Sequence, residues 1–88
     1  MAEQNTFRNL QTLEVARNTA KELFQDKYDD IVEPFVDIIN KVAEANNENH
    51  FEAMRRINTK TDLAEAPEKK MIFAAALMEI VEEKNLKF

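Results

Sequence analysis

The chain contains no glycine in 88 residues, and few single facts narrow the possible folds as far. Glycine reaches positive φ at the lowest steric cost, so the two-residue turns that join most β-hairpins lack their best residue here. With only two prolines besides, an all-β fold with many tight turns is disfavoured. Gly-rich phosphate loops, dinucleotide fingerprints and nucleophile elbows are excluded for the same reason. Helix is what remains. Leu, Ile, Val and Phe supply 23 residues, enough apolar mass to argue against disorder. At this length the expectation is one small all-α domain, residues 1–88.

The net charge of −5 is unevenly placed. Residues 1–48 carry ten acids against five bases, whereas residues 49–88 carry seven of each. An acidic first half argues against a general binder of phosphate backbones, which needs clustered Lys and Arg. Cysteine is absent, which removes disulfides, thiolate nucleophiles and Cys-based zinc or iron–sulfur sites. The polar start, Met1 to Thr6, lacks the order of a secretory signal. The longest apolar run, Met71 to Met78, falls far short of the ~18–20 residues of a membrane span. A cytoplasmic protein is expected.

Periodicity predicts helices over approximately 6–25, 28–45, 50–58 and 67–84. In the first, Leu10, Leu13, Ala16, Ala20, Leu23 and Phe24 share a face, with Val15 on the wet side and Asn5 or Thr6 as the cap. In the second, Tyr28, Ile31, Val32, Phe35, Val36, Ile38, Ile39, Val42 and Ala43 form a continuous stripe. Pro34 lies inside that stripe and predicts either a bend or a helix starting near Glu33, with Asp26 to Val32 as a separate turn. The connector Ala45 to Asn49 offers asparagine for left-handed positions. Asn49 and Glu52 have the spacing of a capping box for a third helix anchored by Phe51, Met54 and Ile57. Asn58 to Thr61 should end it, and Asp62 and Glu65 allow one extra turn before Pro67. Asn85 is the expected C-cap of the last helix.

The last helix is apolar on every side for about two turns. Met71, Ala74, Leu77, Met78 and Val81 make one face, while Ile72, Phe73, Ala76 and Ile80 make another. A helix of this kind has both faces covered. One reading places it at the centre of the bundle. The other makes Ile72, Phe73, Ala76 and Ile80, with Leu86 and Phe88 beyond the helix, a self-association or partner surface, and so predicts a homodimer. Covering that face would bury side chains worth about 1.5–3 kcal/mol each.

Other constellations suggest different functions. Asp26, Asp30, Glu33 and Asp37 recur at spacings of four, three and four, which stacks carboxylates along one helix face. Such a row is either a solvated face or a surface for a basic partner, as in an acidic, DNA-mimicking inhibitor of a nucleic-acid-handling protein. Arg55, Arg56, Lys60, Lys69 and Lys70 permit a helix-turn-helix reading with DNA, opposed by Asp62, Glu65 and Glu68 in the same segment. His50, between Glu48 and Glu52, lacks the second His or Cys that zinc takes. Serine is absent, as cysteine is, and the carboxylates fall on wet faces rather than in apolar pockets that raise their pKa. These residues predict no enzyme, cofactor or metal, and a protein partner as the object of binding.

Overall fold

The structure, a computed structural model, describes residues 9–61 and 65–87. Four α-helices follow one another: α1 (Leu10–Phe24), α2 (Tyr28–Asn46), α3 (His50–Thr61) and α4 (Pro67–Lys84). A single 3₁₀ turn, Gln25–Lys27, joins α1 to α2. No strand occurs among the described residues, so the chain is all-α.

Asparagine does much of the work that glycine does elsewhere. Asn9 keeps an extended backbone, and its Oδ1 accepts the Thr12 N–H at 3.1 Å. This cap starts α1 four residues later than the expected position 6; Asn5 and Thr6 lie outside the described residues. Asn49 likewise accepts the Glu52 N–H at 2.8 Å and opens α3. Asn47 (φ 50°) closes α2 and Asn85 (φ 54°) closes α4, both left-handed. Gln25 (φ 51°, ψ −122°) is a third positive-φ residue that no sequence signal announced. It occupies a region that glycine favours.

A second boundary differs from the sequence pattern, and at Pro34 one of two expected alternatives forms. The helix α3 runs to Thr61 rather than 58, and its threonine hydroxyls bond back to the helix itself. The Thr59 hydroxyl donates to the Arg55 carbonyl at 3.0 Å, and that of Thr61 to the Ile57 carbonyl at 2.6 Å. The extra turn expected through Leu63 falls on residues outside those described. In addition, α2 continues through Pro34 as one helix. The alternative, a separate turn over Asp26 to Val32 ahead of a helix starting near Glu33, does not form. Tyr28 and Val32 before the proline are buried on the same face as Ile39 and Ala43 after it. Burial of each large side chain contributes about 1.5–3 kcal/mol, which together outweighs the ~3 kcal/mol cost of an interior proline.

The core is organised around α4, which contacts each of the other three helices. Ile72 through Met78, Ile80 and Val81 are all buried within one chain. Ile72, Phe73, Ala76 and Ile80 are therefore interior residues here, not the outward face that one reading of the sequence gives them. Leu86 is half-buried against the same core, and Phe88 lies outside the described residues. Leu13 and Ala20 seat α1, and Arg17 pairs with Glu82 of α4. The seat is narrower than the sequence stripe: Leu23 is 61% exposed and Leu10 43%, alongside Val15 at 57%. The Tyr28 hydroxyl donates to Glu79 Oε2 at 2.7 Å. Phe35 meets Phe73 edge to face, with centroids 4.7 Å apart and planes at 78°.

Pro34 is exposed, so its replacement leaves the core untouched. Pro34→Ala is expected to raise the unfolding free energy by about 1–3 kcal/mol in urea titrations, after allowance for the freer unfolded chain. An unchanged or lower midpoint would show that the proline carries no helical cost here.

Candidate functional site: two grooves beside α2

With the apolar stretch of α4 covered, two grooves beside α2 are the strongest candidates for function. On one side, between α2 and α4, lies a groove of about 450 Å³ lined by Asp29, Glu33, Asp37, Glu79 and Glu83, with Val32 and Val36 at its base. Tyr28 closes one part of it through its bond to Glu79. Burial first, and then that hydrogen bond, push the Tyr28 phenol well above its ordinary value, so it remains a donor. Of the expected acidic stripe, Glu33 and Asp37 line this groove. Asp26 and Asp30 are exposed but do not line it. The contributions of Asp29, Glu79 and Glu83 were not anticipated: Glu79 and Glu83 read only as the polar side of the last helix, and their approach to α2 is a tertiary fact.

On the other side, between α2 and α3, a groove of about 380 Å³ is lined by Ile38, Val42, Ile57 and Phe73, with Arg56 and Lys60 on its α3 rim. Ile38 is 42% exposed, although its position in the stripe suggested core. The reason lies in the helix's geometry. At about 100° per residue, Ile31, Phe35, Ile38 and Val42 occupy a flank of α2 turned away from the line through Val32, Ile39 and Ala43 that meets α4. The first, second and fourth of these are half-buried. Among the described members of the expected partner set, Phe73 lines this groove, as part of its floor.

The basic residues that suggested a helix-turn-helix lie on α3 and the first turn of α4. Arg56 is held by Glu48 through two hydrogen bonds, of 2.8 and 3.1 Å. That pair keeps the Glu48 carboxyl below its ordinary value, and it engages the charge that a phosphate contact would need. His50 Nε2 lies 2.9 Å from Asn40 Oδ1, an arrangement in which the imidazole donates and Asn40 accepts. Burial first, and Lys84 second, hold its pKa below the ordinary value of 6.5. Among the described residues no three His, Asp or Glu side chains are grouped to hold a metal ion. No described helix is long and apolar enough to cross a membrane.

No family model matches the sequence, and neither a curated protein nor a solved structure matches it. The functional reading therefore stands on the two grooves.

The His50 environment has a measurable consequence. Its folded pKa is depressed, so its contribution to stability is intact above the unfolded pKa and lost as pH falls through the folded one. Between about pH 7.5 and 5.5, thermal stability should fall more steeply in the wild type than in His50→Gln. Parallel slopes for the two proteins would contradict this assignment.

Proposed function

We propose that the chain is a small, non-catalytic, cytoplasmic accessory protein that works by binding protein, and that the α2–α3 groove is its docking surface. The observation that carries this reading is the half-buried apolar flank of α2, exposed at Ile38, beside a concave, apolar floor. The groove joins Ile38 and Val42 to Ile57 and Phe73, under a polar rim of Asn46, Arg56, Lys60 and Thr61. An apolar centre ringed by polar groups is the usual build of a protein interface. The volume and lining suit side chains from one amphipathic helix.

A second reading takes the α2–α4 groove as a site for a basic partner, the role of an acidic inhibitor that occupies the nucleic-acid site of another protein. It is favoured by the convergence of five carboxylates from two helices on one concavity, with no Lys or Arg among the lining residues. Binding there would be steeply salt-dependent, and binding in the apolar groove less so.

Site-specific photocrosslinking in the native host tests the first reading. A benzophenone amino acid at position 38 is compared with the same group at position 15, an exposed apolar position on α1 away from the groove. Position 38 should give discrete adducts with polypeptide, lost on introducing Val42→Glu, and position 15 should give none. Equal labelling from both positions, or none from either, rules out the groove as the docking surface.

A further inference from the structure

The α2–α3 groove has a charge layout that specifies one occupant. Across the face that α2 and α3 present together, Lys60 lies along the α3 edge beside Arg56, whose charge Glu48 engages, so Lys60 carries the positive charge of that edge. The apolar strip of Ile31, Phe35, Ile38 and Val42 follows. Asp30 and Asp37 come next, about 80–100° further round α2 from Ile38 and on the side away from α3. Lys41 stands among these acids, and Glu33 and Glu44 lie just beyond them, so the α2 edge keeps a negative excess. The surface thus runs from positive through apolar to negative.

An interface between two copies around a two-fold axis is isologous, so each surface must complement itself. An axis running along α2 turns the negative edge of one copy over the positive edge of the other, and does so twice. An axis across α2 would set acid against acid. The apolar strip has the matching form. Ile31, Phe35, Ile38 and Val42 are spaced four, three and four residues apart, the seam spacing of paired helices. With the axis along α2, the partner's α2 lies over the groove, and Ile38 meets Ile38 of the second copy near the axis.

We propose that the occupant of this groove is a second copy of the chain, docked through a parallel α2–α2 contact flanked by acid–base pairs on both sides. The proposal rests on the groove being a protein-docking site and adds the identity of the partner. It replaces the last helix, which is interior, as the surface through which the chain associates.

Light scattering on the full chain at about 100 μM should give twice the 10.2 kDa monomer mass. Asp30→Lys with Asp37→Lys should weaken the dimer at least about tenfold, through like charges on both edges. Adding Lys60→Glu to that chain should recover much of the loss, because both edges are then reversed. The chain has no native cysteine, so single cysteines report orientation. Ile31→Cys and Ile38→Cys should each form a disulfide with their own kind under mild oxidation.

A monomeric wild type overturns the proposal, as does a dimer indifferent to the charge reversal. A mixed disulfide between Ile31→Cys and Val42→Cys chains, with no self-linking, overturns it too, because it reports an antiparallel contact. A monomer that still crosslinks from position 38 to another polypeptide defeats the second copy and leaves the groove reading standing. A monomer without such crosslinks defeats both.

Discussion

The described fold is arranged around a stretch of α4, Ile72 to Met78, that is buried on every side. Over Ile72 to Met78, α4 presents an apolar side chain in every direction, and a bundle of this size ordinarily leaves one face of each helix wet. The solution here is to let α1, α2 and α3 each take a sector of α4. Alanines make that possible. Ala74, Ala75 and Ala76 are all buried, and their small volume lets neighbouring backbones come close where larger residues would overfill the space. Polar groups at the C-terminal end then orient the covering helices, with Arg17 of α1 on Glu82 and Tyr28 of α2 on Glu79.

Centring the fold on α4 has a consequence for α2. This helix turns one line of residues, Val32, Ile39 and Ala43, inward. Its apolar stripe is wider than that line, and the surplus is left beside α3 as the flank around Ile38. The excess apolar mass that seemed to belong to the last helix is thus covered, and the uncovered excess lies on α2. The functional proposal follows from this displacement. A surface that the fold does not need for its own core, bordered by opposite charges, suits association better than solvation.

Much of the fold was legible because the chain spells helices with few alternatives. Three of the four expected helices, those over 28–45, 50–58 and 67–84, begin where their elements begin, and the asparagines at 47, 49 and 85 act as their positions implied. The misses have local physical causes. Asn9 caps α1, and α3 runs past its expected end to Thr61, with threonine hydroxyls bonding back four residues. At Pro34, where the sequence left two readings open, the single helix is the one that forms, with a face buried on both sides of the proline. The grooves were not legible, for a different reason. Periodicity gives the width of an apolar stripe but not the width of what covers it, so Ile38 and Ile39 looked alike. Nor does it say which acids from separate helices meet, so Glu79 and Glu83 could not be joined to Glu33 and Asp37.

The claim on which the rest depends is that α4 is interior to a single chain. Amide hydrogen exchange measured at low micromolar concentration tests it most directly. The account predicts that the amides of residues 73–81 are the slowest in the molecule, opening only with global unfolding, and slower than those of α1 and α3. Exchange in α4 as fast as in α1, with protection appearing only as protein concentration rises, would show that a second molecule covers this helix and would contradict the account.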